Sequence, residues 1–327
     1  MSNKIFSISS AFVLGASFAV ADVPKVAVDI APVHSLVSKV MNGLGKPNLI
    51  IPSEASPHEY QLRPSEAKAL QEAKLVFWIG EDLTPWLEKG LSTLAKDATI
   101  TTLLKADGIE LLDFREGALF EAHDHSDHDD HDDHDDHDHG KHKKKDDHDD
   151  HDDHDDHGEH DPHAWLSPGI AKVWLNLIAA KLSEVDPSNA STYFSNASSA
   201  NKDLDSLSDE INKILDPIRN EKFVVFHDAY QYFEKHFNIS ASGAISLGDA
   251  SDPSPARLKE IKERVEKEDI HCVLAEPQYN EGLVKAVIEG THANNAVIDP
   301  LGVGLEAGPT LYDKLIRNLA TNLSNCF

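Results

Sequence analysis

Three histidines sit in settings where side chains can converge on one point. His58 lies in Ser56-Pro57-His58-Glu59-Tyr60, His163 in Asp161-Pro162-His163-Ala164-Trp165, and His227 in Phe226-His227-Asp228-Ala229-Tyr230. His58 follows an apolar run, His163 precedes a helical pattern, and His227 closes a strand-like run. A neutral imidazole is a good zinc ligand, with a Zn–N distance of ~2.0–2.1 Å, and a tetrahedral site asks for a fourth donor. Glu59, Asp299 and water are the candidates for that place. Read alone, each histidine is also an ordinary structural residue. His34, His236, His271 and His292 take that structural reading.

A second group of histidines is of another kind. His123, His125, His128, His131, His134, His137, His139, His148, His151, His154, His157 and His160 stand in a stretch dominated by aspartate. His-Asp-Asp recurs with a period of three from His128 to His137 and again from His148 to His157. That period does not line one face of a 3.6-residue helix. The stretch has almost no apolar residues to bury, so residues 121–160 read as a disordered insertion. Its composition nevertheless points to metal, and its dense carboxylates raise the local cation concentration. The tract reads as an auxiliary, low-affinity collector that releases metal as its imidazoles protonate.

The isolated histidines need a scaffold, and the rest of the chain supplies one. Lys25–Ile30, Asn48–Ile51 and Leu75–Ile79 read as strands, alternating with helical patterns over Ala31–Met41, Pro64–Glu72 and Leu83–Leu94. After the tract, Pro168–Val185 is helical. Asp186 and Pro187 read as the N-cap and first residue of a new helix reaching about Leu215. At 1.5 Å per residue this helix spans on the order of 40 Å, too long for a crossover inside a small sheet. Strand and helix then alternate again: Phe223–Phe226, Ala229–Phe237, Ile239–Ile245, Pro255–Glu268, Cys272–Ala275 and Ala296–Ile298. Such alternation implies parallel sheets with covering helices. The expected fold is two α/β lobes with mostly parallel sheets joined by one long rigid helix, with a metal site in the cleft between them. The expected bounds are 22–185 for the first lobe, 186–216 for the linking helix and 217–327 for the second lobe. In parallel sheets, ligands collect beyond the carboxyl ends of strands.

Composition limits the partners. The chain has 327 residues, 40% of them hydrophobic, and a net charge of −27. Residues 121–161 carry 20 acidic side chains against four lysines, so they hold more than half of that charge. This argues against nucleic acid, which is bound by clustered Lys and Arg. Residues 1–21 read as a signal peptide: Lys4, an apolar run from Ile5 to Val20, and small residues ending at Ala21. The chain is therefore expected to be exported. Cys272 and Cys326 form an even pair in an exported chain, which suggests one disulfide.

Four segments, Pro57-His58-Glu59-Tyr60, Asp161-Pro162-His163-Ala164-Trp165, Phe226-His227-Asp228-Ala229-Tyr230 and Ile298-Asp299-Pro300-Leu301-Gly302, occur in order along the chain. With them the chain resembles the metal-receptor solute-binding family of ABC importers, in its zinc-binding branch. A His-rich insertion before the second segment is a further mark of that branch. The resemblance implies two α/β lobes bridged by a long helix, His58, His163 and His227 as ligands, and a Cys272–Cys326 disulfide. It implies a monomer that passes Zn2+ to an importer's membrane permease. Where manganese-type relatives place a carboxylate, this chain has His227, and three imidazoles favour zinc over a hard ion. Glu59 is favoured as a near or transient ligand. Asp299 either ligates or orients a ligating histidine.

Two other readings compete. Three histidines and a water also make a hydrolytic zinc site. The pair His58-Glu59 opens a His-Glu-x-x-His pattern, but position 62 is Leu62, so that motif fails. A metal-binding adhesin or zinc buffer without a transporter is the other alternative.

Overall fold

In a computed structural model of the chain, the structure describes residues 23–115, 120, 160–246 and 253–327. The expected signal peptide and the tract histidines from His123 to His157 lie outside the described residues. Strands β1 (Val26–Val28), β2 (Asn48–Leu49), β3 (Leu75–Trp78) and β4 (Thr99–Thr102) form one sheet in the order β2-β1-β3-β4. All three pairings are parallel. Helices α1 (Ala31–Val40), α2 (Pro64–Glu72) and α3 (Pro85–Leu94) alternate with the strands. β1 and β3 are buried along their whole length, as strands of a sheet covered on both faces are. β4 was not expected. Three of its four residues are threonine, so no apolar run marks it, and its pairing with β3 makes it a strand.

The second sheet repeats the first. β5 (Phe223–His227), β6 (Ala244–Ser246), β7 (Cys272–Ala275) and β8 (Asn294–Val297) lie in the order β6-β5-β7-β8, again all parallel. Their helices are α6 (Gln231–Phe237), α7 (Pro255–Lys267) and α8 (Glu281–Ile288). The strand expected over Ile239–Ile245 is shorter than its apolar run. Asn238 ends α6 in the left-handed conformation, φ 53°; the first backbone bond to β5 comes from Ser242, and the strand itself begins at Ala244.

Between the sheets stand α4 (Pro168–Val185) and α5 (Ala190–Leu215). Asp186 and Pro187 begin a single 3-10 turn, Pro187–Asn189, and the α-helix starts after it. Asp186 still fixes this junction, accepting hydrogen bonds from Ser188 Oγ at 2.6 Å, Asn189 Nδ2 at 2.7 Å and Tyr193 Oη at 2.9 Å. The 26 residues of α5 span roughly 39 Å. Its buried stripe runs Tyr193, Ala197, Ala200, Leu204, Leu207, Ile211 and Leu215, the spacing of one helix face.

The C-terminal helix α9 (Leu311–Ser324) packs against both α5 and α1. Lys39 on α1 pairs with Asp313 at 2.8 Å, and Arg317 grips Glu210 on α5 with two bonds of 2.7 and 2.8 Å. One hydrophobic core runs without a break from β1 and β3 through α4 and α5 to α9. A smaller core lies under α7 and α8. Among the described residues no helix is long and apolar enough to cross a membrane.

Cys272 and Cys326 are disulfide-bonded across 54 residues, tying the start of β7 to the end of α9. Closing a loop of that length is worth roughly 4 kcal/mol in the chain-entropy picture. Replacing both cysteines by serine is therefore expected to lower the free energy of unfolding by about that amount. Equilibrium denaturation of the metal-free protein in urea measures it; an unchanged midpoint refutes the assignment of this stability to the crosslink.

Candidate metal centre

His58, His163 and His227 come together at one cavity where the lobes meet. His58 stands in the loop between β2 and α2, and neighbouring residues pin that loop. Trp86 Nε1 donates to Pro57 O at 2.8 Å. Tyr60 Oη donates to one oxygen of Glu66 at 2.8 Å, and Arg63 N–H donates to the other at 2.7 Å. His163 precedes a 3-10 turn, Ala164–Leu166, whose Trp165 is fully buried. Trp165 Nε1 donates to Pro300 O, and Tyr312 Oη donates to Trp165 O, both at 2.8 Å. His227 is the last residue of β5.

Two buried carboxylates orient two of these rings. Asp161 Oδ1 accepts from His163 Nδ1 at 2.8 Å, and Glu276 Oε1 accepts from His227 Nδ1 at 2.6 Å. Each also accepts from the backbone N–H of the same histidine, at 2.9 and 3.3 Å. With Nδ1 committed, Nε2 is the ring atom a metal can take, and the carboxylate raises its basicity. Asp161 and Glu276 are 1% and 2% exposed, so water competes little for either bond.

The ring centroids of His163 and His227 are 5.4 Å apart, and those of His58 and His163 5.8 Å. A tetrahedral ion at ~2.0–2.1 Å from each nitrogen sets two imidazole centroids roughly 5 Å apart. Among the described residues no three His, Cys, Asp or Glu side chains are already closed around an ion position. These two spacings exceed the closed one by a fraction of an ångström, within reach of small side-chain rotations. The cavity volume is about 20 Å³, room for something the size of one water. Pro57, Trp165, Tyr279, Pro300 and Leu301 give it a largely apolar wall.

The other expected site residues fall elsewhere. Glu59 is exposed and does not line the cavity. Asp299 accepts from Leu301 N–H at 2.9 Å, from Val303 N–H, and from Gln278 Nε2 at 3.0 Å. It thereby holds the Pro300–Leu301 turn and the cavity-lining Gln278. His160 is half-exposed and bonds Asp113 at 3.0 Å. Glu276 was not singled out by sequence. Its signal is positional, because it follows the last residue of β7. β5 and β7 are also the neighbours between which the connections switch direction, the place where open α/β sheets bind ligands. Tyr230 lies close by. Burial, then the Glu276 and Asp299 carboxylates, keep its phenol protonated well above the ordinary range.

Two parallel α/β lobes joined by a long helix, with a histidine-lined cavity where they meet, define a solute-binding receptor. The chain belongs to the ZnuA family, described as the periplasmic component A of a zinc-uptake complex, whose model matches residues 26–326. It is 48% identical over 303 residues to the high-affinity zinc uptake system protein ZnuA of Brucella abortus, covering 92% of this chain and 91% of that one. It is 46% identical over 307 residues to the protein of the same name from Paracoccus denitrificans, covering 94% and 92%. A crystal structure of ZnuA superposes with a TM-score of 0.73 at 22% identity, covering 93% of this chain and 99% of that chain; this likeness shows the fold.

If Glu276 orients His227, Glu276→Gln is expected to weaken zinc binding by about 10- to 100-fold, the usual cost of losing such a partner. Competition with a chromophoric chelator reads this, and an unchanged affinity rules the role out.

Proposed function

We propose that His58, His163 and His227 hold one Zn2+ ion that this chain captures in the periplasm and passes to the membrane permease of an ABC importer. The observation that carries the reading is the convergence of three imidazoles from both lobes on an ion-sized cavity, two of them locked by buried carboxylates. Membership of a zinc-uptake family supports zinc as the cargo. So does the donor set, since imidazole suits zinc better than it suits manganese. The fourth position belongs to water or to a carboxylate that approaches on binding. Residues 22–185 and 217–327 are the two lobes of this receptor, and 186–216 links them.

Capture is favoured over hydrolysis by how the carboxylates are used. A hydrolytic zinc site needs a base beside the metal-bound water. Here Asp161 and Glu276 both accept from ligand imidazoles instead. Zinc titration of wild type against His58→Ala, His163→Ala and His227→Ala tests the site. Each variant is expected to lose the tight equivalent; three variants that bind as tightly as wild type refute it.

The tract plays a different part, gathering zinc at lower affinity beside the tight site. Deleting residues 124–157 is expected to reduce the number of ions bound while leaving one tight site, as counted by calorimetric titration. Loss of the tight site with the tract contradicts this division.

A further inference from the structure

The chain leaves the first lobe through Leu112–Arg115 and returns at His160–Asp161, and both passes cross the start of α6 in the second lobe. Asp113 and His160 form an antiparallel bridge, and Asp161 N–H donates to Leu112 O at 2.8 Å. Tyr232 Oη accepts from Leu112 N–H at 2.9 Å and donates to Asp161 O at 3.0 Å. Gln231 Nε2 donates to Asp113 O at 3.0 Å and to Asp161 Oδ2 at 3.1 Å. The two passes make a neck clasped by α6.

Arg115 reaches from this neck into the second lobe. Its Nε lies 3.0 Å from both oxygens of Asp228, and its Nη2 also donates to Asp228. Nη1 and Nη2 donate to Glu234 at 2.8 and 3.0 Å. The Phe120 ring lies 3.7 Å from the guanidinium carbon. The Arg115 side chain is 17% exposed and both carboxylates 5%. Glu234 is fixed in turn by Ala241 N–H at 3.0 Å. A planar fork of donors held on two carboxylates sets direction as well as distance.

Asp228 is the residue after His227, in a tight turn where Ala229 N–H donates to His227 O at 3.0 Å. We propose that Arg115 is a positioning residue for metal capture: a first-lobe side chain that fixes the His227 turn of the second lobe relative to His163. The neck thus carries both settings, Asp161 for His163 and Arg115 for His227. The inference rests on His227 being a ligand. Arg115 acts through Asp228, the residue that follows His227.

The test compares Arg115→Gln, Arg115→Lys, the charge-neutral triple Arg115→Gln/Asp228→Asn/Glu234→Gln, and His227→Ala, all in the full chain. Zinc affinity is read by chelator competition, site geometry by the visible spectrum of the Co2+-loaded protein, and fold by thermal unfolding without metal. Arg115→Gln and the triple variant are expected to bind one tight equivalent about tenfold or more weakly, in the range for outer partners of a metal site. Their Co2+ bands are expected to change in position or intensity. Arg115→Lys is expected to recover only part of the loss, since an ammonium lacks the fork. The triple variant buries no unpaired charge and keeps the test sound if Arg115→Gln alone unfolds. Wild-type affinity and an unchanged Co2+ spectrum in the triple variant, with His227→Ala defective, overturn the proposal. Weaker binding with an unchanged spectrum and a lowered melting temperature also overturns it, because Arg115 is then only a stabilising residue. If His227→Ala binds normally, the site assignment itself fails.

Discussion

Bringing two imidazoles from separate lobes to one point, each with the correct nitrogen forward, is the constraint on which the molecule depends. A lone imidazole rotates and changes tautomer; one whose Nδ1–H is held by a buried carboxylate does neither readily. Asp161 and Glu276 supply those bonds, and each must itself be held. Asp161 is fixed by Leu112, Gln231 and Tyr232, and Glu276 stands at the end of a strand paired on both sides. The cavity's apolar wall keeps water from competing for these bonds.

The same constraint explains how the lobes are joined. Two lobes that closed by swinging about a flexible linker would have to order that linker at each capture. Here α5, α9 and α1 share one core, and buried residues continue through it from sheet to sheet. Burial on this scale leaves the histidine-lined cavity largely preformed, so that on the proposed reading metal capture costs side-chain adjustment rather than rearrangement of lobes. The disulfide adds to this by holding α9 to the base of β7, the strand that leads to Glu276.

Much of this was legible in the sequence, because apolar runs and helical spacing report burial directly. Seven of the eight strands were marked by such runs, and the long helix by its stripe from Tyr193 to Leu215. β4 was not, since a threonine-rich edge strand gains its structure from the neighbour it pairs with. The three histidines were recognisable from their segments. Glu276 was not, because a glutamate after a four-residue strand looks ordinary until the strand order places it at the switch point. Arg115 left no local trace at all: its partners Asp228 and Glu234 lie 113 and 119 residues away. Glu59 shows the limit of adjacency: it follows His58 in the chain, yet its side chain is exposed.

The clasped neck has a consequence for how such a chain can change over generations. Both passes enter and leave at neighbouring points, bonded to each other and to α6, so whatever joins them closes a loop whose ends are already fixed. For such a loop the closure entropy grows only with the logarithm of length, about 0.6 kcal/mol per doubling. Insertions and deletions of histidine-bearing repeats between residues 115 and 160 are therefore nearly neutral for folding. On the proposed reading of the tract as a collector, its capacity becomes a quantity that replication slippage across a three-residue repeat can tune, while the capture site stays under separate constraint.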